Sequence, residues 1–277
     1  MVAEMIRSEP VVRLTRDLRA NAATMSTAEA RFVVDLYYSV QDYRIAAANQ
    51  VRALTEDGEP VAFLDWTFST MRTVEEEAKQ WLDVYSTASP AGVWSRSIVG
   101  IGPVIAAGLL AHIDITRAPT VGHIWSFAGL NPTATWGKGE KRPWNARLKV
   151  LAWKLGESFV KVSGHEQDVY GHLYAERKQY EIERNERGEL AEQAAGALKA
   201  KRIGEDTGAR KHYEAGRLPP AHIHARAKRW AVKLLLADWH HVAYEAHYGT
   251  LPPKPYVIEH LGHVHVRPVP NHTCIGG

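Results

Sequence analysis

The sequence predicts a mostly α-helical fold, with an N-terminal helical hairpin, a core of the helix-hairpin-helix type, a long C-terminal helix and an irregular tail. Three observations lead to this prediction. Apolar residues recur at helical spacing over long stretches, a turn-forming segment at Glu56–Pro60 separates two of these stretches, and a glycine-rich turn near residue 100 opens into an alanine-rich run. With 45% hydrophobic residues among 277, the chain can bury a core as one large domain or two modest ones.

The first part of the chain predicts a leader followed by a hairpin. Residues 1–25 have weak periodicity and are expected to form a loose leader. Ser26 and Glu29 have the spacing of a capping box, directly before an apolar helical series. A second series follows Glu56–Pro60, so residues 26–90 are predicted to form an antiparallel helical hairpin. Such a hairpin is more often a structural arm than a site, and it makes a homodimer a candidate assembly.

The segment 97–110 predicts a tight turn that opens directly into a helix. Gly100 and Gly102 flank one apolar residue, and Pro103 suits the first helical turn, where its missing N–H costs nothing. The first N–H groups of such a helix lack intrahelical partners and lie at the positive end of its dipole, so they can bind a phosphate. The alternative is a tight corner whose glycines serve packing only. The spacing alone leaves both interpretations open.

Cations and tryptophans are interleaved in the loop and helices that follow. A turn-rich loop at residues 131–143 leads into a helix from Asn145 to about Val162, and a second basic helix begins after Pro219-Pro220 and runs to about Tyr248. This mixture suits phosphate contact combined with base stacking or groove insertion. The alternative is that the tryptophans are core residues and the lysines are solvated. The candidate nucleic-acid contacts, besides Gly100 and Gly102, are Lys138, Lys141, Arg142, Asn145, Arg147, Lys149, Arg226, Arg229 and Lys233.

The sequence is accordingly divided after the hairpin into three parts. Residues 91–163 are predicted to form the helix-hairpin-helix-type domain, residues 164–218 a charged helical arm with a solvated face, and residues 219–277 the basic helix and a tail rich in histidine and proline. A weak alternative places a metal on tail residues, because histidines and a cysteine are metal ligands, although their spacing matches no strong zinc motif. These residues are His260, His263, His265 and Cys274, with His272 among them.

Composition and missing motifs limit the other classes of function. A formal net charge of +3 is mildly basic and does not by itself indicate a nucleic-acid partner. The sequence has no Walker loop or dinucleotide fingerprint, so no cofactor is predicted. The single Cys274 excludes an internal disulfide framework and fits a reducing compartment. Since no signal peptide or membrane span is recognisable, we expect a cytoplasmic protein without a membrane partner.

Residues 94–159 resemble the C-terminal domain of the insertion-sequence 110/116/902 transposases. The resemblance rests on Val99–Pro103 with the alanines that follow, on Phe127–Pro132, on the glycine- and lysine-rich loop, and on Arg142–Leu148. The whole chain also resembles phage- and plasmid-borne proteins that carry this transposase label. The resemblance implies a DNA-binding protein of mobile elements, with a role in DNA transposition or recombination. Its implied partner is DNA, branched DNA included, or structured RNA.

Two features depart from the family's pattern. The family's N-terminal resolvase-like domain, with its metal-binding acids, has no counterpart in residues 1–25, and Thr135-Trp136-Gly137 stands where the family places a serine nucleophile before a glycine. Thr135 is the nearby hydroxyl candidate for a catalytic role, but no evident base would activate it. Binding is therefore favoured over strand transfer. The alternatives are an active recombinase whose metal site comes from a partner protein, and an α-helical phage or plasmid structural protein with no nucleic-acid role.

Overall fold

The computed structural model describes residues 13–200, 202–253 and 267–273. Within these ranges the chain forms eleven α-helices, two 3₁₀ turns and no strand, which confirms the mostly α-helical fold. The chain divides into two compact units. The first comprises the described residues up to Arg96 together with Gly102–His112, and the second comprises Ser97–Ile101 and the described residues from Ile113 onward. No described helix is long and apolar enough to cross a membrane.

The first unit is built around the hairpin that the sequence predicts. Ser26 Oγ accepts a hydrogen bond from the backbone N of Glu29 at 3.1 Å, which confirms the predicted helix start. The second and third helices pack along each other, and the fifth packs against both. One cluster of buried side chains joins them: Met25, Ala30, Val34, Leu82, Val104, Ala107 and Ala111. The helices of this part of the chain are α1 (Arg16–Ala20), α2 (Thr27–Glu56), α3 (Ala62–Thr87), α4 (Pro90–Ser97) and α5 (Pro103–His112).

The prediction of a loose leader is wrong for residues 13–25. Helix α1 and a 3₁₀ turn at Asn21–Thr24 precede α2, and Ala22 in that turn is fully buried. Arg13 and Arg19 each place a guanidinium nitrogen 3.3 Å from a carboxylate oxygen of Glu77 on α3. Weak periodicity failed as a guide here because three ion pairs with α3 and a short apolar contact, rather than a long apolar face, hold the segment.

The second unit is organised around a long central helix, α11 (Pro220–Tyr248), against which three other helices pack. The large, fully buried side chains of the unit include Leu148, Leu155, Phe159, Tyr170, Leu235, Leu236 and Trp239. Helix α11 has the predicted bounds, with Pro220 in its first turn and Gly249 closing it at φ +67°. The helices are α6 (Val121–Phe127), α7 (Ala146–Val162), α8 (Tyr170–Glu186), α9 (Ala191–Ala200), α10 (Gly208–Glu214) and α11 (Pro220–Tyr248).

Helix α8 has the exposed charged face that the sequence predicts, but its other face is buried in the second unit. Tyr170 is fully buried against α7 and α11, and the Glu181 side chain is only 1% exposed. Three guanidinium groups surround this carboxylate, those of Arg177, Arg184 and Arg226, so its burial is compensated. The mixed-sign pattern does not reveal this burial, because the cations that compensate Glu181 come both from α8 itself and from α11.

Candidate nucleic-acid interface

The glycine turn has the predicted local structure, with one helix ending at Ser97 and the next beginning at Pro103. Gly100 has φ +94°, a backbone conformation that side chains other than glycine rarely adopt. The hydroxyl of Ser158 on α7 donates a hydrogen bond to the Gly100 carbonyl, and a Cβ at this position would lie 3.1 Å from Val162. Contact with α7 therefore explains this glycine, which supports the packing interpretation at Gly100.

Gly102 has different surroundings. Its φ is not positive, and a Cβ built on it would meet no atom within 4 Å. Its carbonyl accepts a hydrogen bond from the backbone N of Ala106 at 3.1 Å, as expected at the start of α5. No contact within the described part of the chain explains why this residue is a glycine. Close approach of a ligand to the backbone is the other explanation that the sequence suggests.

Arg177 lies 5.3 Å from the centroid of the Trp230 ring, and four further tryptophans of the second unit each have a cation over the ring. Each distance joins the cationic group to the ring centroid: Lys149 and Trp144, 4.1 Å; Arg142 and Trp136, 4.9 Å; Lys233 and Trp125, 5.3 Å; Lys228 and Trp153, 5.9 Å. We call these eight residues, together with Arg229, the basic-aromatic surface. Cation–π contacts of this kind keep aromatic faces and positive charge side by side.

Two helix ends and a loop hold this surface in place. The Asn145 side chain caps α7 by accepting a hydrogen bond from the backbone N of Leu148 at 2.9 Å, and its own backbone N donates to the Phe127 carbonyl at the end of α6. Asn145 therefore has a structural role that positions Trp144 beside Lys149. The Trp125 indole N–H donates to the backbone carbonyl of Lys233 at 3.0 Å and so ties α6 to α11.

A groove of about 210 Å³ runs through the surface between α7 and α11. Its walls include Lys149 and Trp153 from α7 and Arg229 from α11, and Gly129 lies at its edge. Gly129 has φ +66°, and a Cβ there would lie 2.9 Å from Lys149 Cδ. The groove therefore depends on a glycine directly after α6, where the backbone turns toward the loop.

The charge in the groove is not balanced by nearby acids. Arg229 and Lys233 are four residues apart on α11, and neither forms an ion pair with any described residue. Burial lowers the pKa of the Lys233 ammonium, and the positive charge of Arg229 lowers it further. An anion bound beside these two groups would relieve their mutual repulsion. By contrast, Lys228 forms an ion pair with Glu157.

A segment of the chain that contains four of the nine residues of this surface matches a known family. Residues 96–144 match the family model described as Transposase IS116/IS110/IS902 family. This match confirms the resemblance over those residues and supports a role in transposition or recombination. The transposase-family segment includes the glycine turn, α5, α6, and the loop that bears Trp136 and Arg142. No curated protein matches the chain, and no solved structure does.

The structure brings together only some of the candidate contacts. Arg142, Lys149, Arg229 and Lys233 belong to the basic-aromatic surface. Lys138 and Lys141 are exposed in the loop of the transposase-family segment, and Arg147 is exposed in the first turn of α7. Arg226 instead donates to the buried Glu181 and to the Gln193 side chain.

Sequence reasoning did not connect Trp125 with Lys233, or Trp153 with α11. Trp125 and the carbonyl that it contacts are 108 residues apart, and no cation lies next to Trp125 in the sequence. The spacing of residues within a single helix therefore could not predict the contact between Trp125 and Lys233. Trp153 follows Lys149 by one turn of α7, but the cation over its ring is Lys228 of α11.

The proposed catalytic position has no visible activating group. Thr135 is exposed, and its hydroxyl has no hydrogen-bond partner within the described part of the chain. Within the described residues, no base is placed to activate this hydroxyl.

One group of side chains could hold a metal. The ligand atoms of His241, Glu245 and His272 lie within 4.8 Å of one another. The tail residues singled out in the sequence, His260, His263, His265 and Cys274, lie outside the described residues.

Proposed function

We propose that this protein binds the backbone of DNA through the basic-aromatic surface of its second unit, and that this binding serves transposition or recombination. The observation that supports the proposal most is the Arg229–Lys233 pair, which has no counter-ion among the described residues and lies beside tryptophans. Phosphates would supply the missing negative charge. The match at residues 96–144 favours DNA as the source of those phosphates.

The aromatic part of the surface is open to a ligand. The side chains of Trp153 and Trp136 are 59% and 44% exposed, although large aromatic rings are usually covered in a folded protein. An exposed indole can stack on an unpaired base or insert between neighbouring base pairs of a distorted duplex. Both kinds of contact have little sequence preference. The proposed ligand is therefore DNA with accessible bases, such as a junction or a partly melted duplex, bound without strong base readout.

The test is binding of the purified full chain to labelled duplex, four-way junction and structured RNA at about 50 and about 200 mM salt. Each phosphate contact contributes a slope of about −0.9 to log K against log salt concentration on duplex DNA. We expect the variant Arg229→Ala/Lys233→Ala to make this slope shallower by about 2 units on duplex DNA. The loop variant Lys138→Ala/Lys141→Ala/Arg142→Ala should also have a shallower salt slope than the unmodified chain.

Two controls distinguish loss of a contact from loss of charge or fold. Lys199→Ala removes one exposed cation from α9, outside the basic-aromatic surface, and should leave the slope unchanged. Arg226→Ala should lower the free energy of unfolding, because it leaves the buried Glu181 with one cation fewer, while the slope changes little. Weak binding of all three ligands with no dependence on salt would contradict the proposal. A preference for RNA would replace DNA as its ligand.

A further inference from the structure

We propose that His241, Glu245 and His272 bind one divalent transition-metal ion of the zinc type, which fastens the C-terminal segment 267–273 to α11. This site uses no residue of the basic-aromatic surface. It also differs from the metal alternative expected from the sequence, in which all ligands belong to the tail.

The three side chains converge from two elements of the second unit. His241 and Glu245 are four residues apart and therefore lie on one face of α11, and His272 reaches them from the described tail. His272 Nε2 is 2.6 Å from Glu245 Oε2, and His241 Nε2 is 3.8 Å from the same oxygen. The two imidazole rings are 6.0 Å apart between centroids, at an angle of 77°.

These distances are close to what a tetrahedral ion requires. With bonds of about 2.1 Å to nitrogen and oxygen, neighbouring ligand atoms lie about 3.4 Å apart. The two measured distances fall on either side of this value, so small side-chain rotations would admit the ion. Two imidazoles and one carboxylate suit zinc, whereas magnesium and calcium prefer oxygen ligands throughout.

Burial gives a second reason for a cation at this place. The Glu245 side chain is only 2% exposed, and those of His241 and His272 are 25% and 19% exposed. A carboxylate that has lost most of its water is stabilised by hydrogen bonds and by positive charge. A divalent ion would supply that charge and would use the lone pairs of both imidazoles. Three protein ligands leave the fourth position for a water molecule or another donor.

Contacts that need no ion already place His272 over α11. Arg267 forms an ion pair with Asp238 on α11, and the Asn271 side chain donates to the backbone carbonyl of Ser97 at 3.0 Å. The tail is thus attached at two points that precede His272 in the sequence. Ligands held in this way lose little conformational freedom on binding, which favours affinity.

The experiment measures Zn²⁺ binding to the chelator-treated full chain by competition with a chromophoric chelator. Cobalt substitution serves as a second readout, because tetrahedral Co²⁺ has characteristic visible absorption bands. We expect one ion per chain and a rise in the melting temperature when Zn²⁺ is added. The variants His241→Ala, Glu245→Gln and His272→Ala should each weaken binding at least about tenfold and abolish the cobalt bands.

His165→Ala is the matched control, since it removes an exposed histidine in the loop after α7. It should bind Zn²⁺ as the unmodified chain does. Circular dichroism of each variant without metal shows whether it is folded, and His272→Ala, on the tail, tests the site without changing α11. Unchanged binding in folded His272→Ala would overturn the proposal. So would a loss of binding only when Cys274 or the histidines at 260, 263 and 265 are replaced.

The outcome is independent of the proposed function. Salt-dependent DNA binding that persists after chelation, together with Zn²⁺ binding that the three ligand variants lose, supports both proposals. Loss of only one of these two properties identifies which proposal has failed.

Discussion

Gly100 and Gly102 belong to one turn, but different causes account for them. The backbone of Gly100 is in the left-handed region and its carbonyl is hydrogen-bonded to Ser158, whereas Gly102 has an ordinary φ and open space where a Cβ would be. A glycine that packing does not require is the better candidate for close contact with a phosphate. Substitution at the two positions can therefore separate packing from binding.

We predict that Gly100→Ala lowers the free energy of unfolding by about 1–2 kcal/mol, because alanine is strained at φ +94° and crowds Val162. Gly102→Ala should change that free energy little. If the backbone at Gly102 contacts phosphate, this second variant should nevertheless weaken DNA binding. Urea unfolding and the binding assay check the two effects. A Gly102→Ala protein with full affinity would show that this backbone is not part of the interface.

Asp238 is a buried carboxylate whose charge the fold disfavours. Its Oδ2 accepts a hydrogen bond from the Tyr170 hydroxyl at 2.6 Å, and Arg267 forms an ion pair with it. Burial raises the pKa of Asp238 to about 6, an effect that the Arg267 charge and the Tyr170 hydrogen bond only partly oppose. Folding therefore affects proton binding at this residue.

Stability should fall as the pH rises through the range between the unfolded and folded pKa values of Asp238. The unfolded value is about 3.9, so between about pH 4 and pH 6 the folded state keeps a proton that the unfolded state has released. The raised pKa thus corresponds to a loss of about 2–3 kcal/mol by pH 7 relative to pH 4. Urea unfolding at several pH values should show that Asp238→Asn removes this component.

Asp65→Asn, which changes an exposed residue of α3, is the control and should leave the pH profile of stability unaltered. The prediction for Asp238 fails if the two variants have the same profile.

At the scale of single elements, α7 presents one face to the core and another to the groove. Leu148, Leu155 and Phe159 are fully buried, while Lys149 and Trp153 line the groove from the opposite side of the same helix. The two faces can be altered separately because the exposed one contributes little to the core.

We predict that Trp153→Ala weakens binding to single-stranded DNA by about 1 kcal/mol or more, since a stacked base contributes that much. The slope of affinity against salt should stay unchanged, because no charge is removed. Filter binding or fluorescence anisotropy at two salt concentrations measures both quantities. Tyr180→Ala, which removes an exposed aromatic side chain from α8, is the matched control. Equal affinity of the two variants would remove stacking at Trp153 from the mechanism.

The sequence predicts single elements well where one helix contains its own signal. The bounds of α11 follow from Pro220 and Gly249, the start of α2 from Ser26, and the buried face of α7 from its apolar spacing. Contacts between distant segments have no such local signal.

The partner of Arg226 illustrates what helical spacing alone does not predict. Its spacing on α11 suggests a phosphate contact, but Glu181, 45 residues away, already accepts its hydrogen bonds. Likewise, nothing near His272 in the sequence indicates His241 and Glu245, because the tail must first fold back onto α11. Which charges stay available to a ligand is decided by tertiary pairing, and periodicity does not report that pairing.

At the scale of the whole molecule, the α2–α3 hairpin is longer than its core needs. The core cluster of the first unit uses the base of the hairpin, with Ala30 and Val34 on α2 and Leu82 on α3. Near the far end, Phe63 and Trp66 are 73% and 46% exposed and lie 5.8 Å apart between ring centroids. Exposed aromatic pairs of this kind favour contact with another protein surface.

We predict that the protein is a homodimer through this hairpin and that replacing residues 49–69 by a short glycine-serine loop yields a monomer. The shortened chain keeps the base of the hairpin, so it should stay folded, and its salt slope for DNA binding should match that of the full chain. Light scattering after size-exclusion chromatography measures the mass. Phe63→Ser/Trp66→Ser is the matched variant of full length. A full-length monomer at micromolar concentration would refute the prediction.

The path of the chain between the two units has a consequence for how this protein could have arisen. The chain passes from the first unit to the second after Arg96, returns at Gly102 and leaves again after His112. The transposase-family segment begins at this exchange and ends inside the second unit, with α5 in one unit and α6 in the other. An excised segment would lack the helices that its two halves pack against, α2 and α3 for α5 and α11 for α6. Acquisition of the segment as an independent module is therefore disfavoured, because we expect that it would not fold on its own.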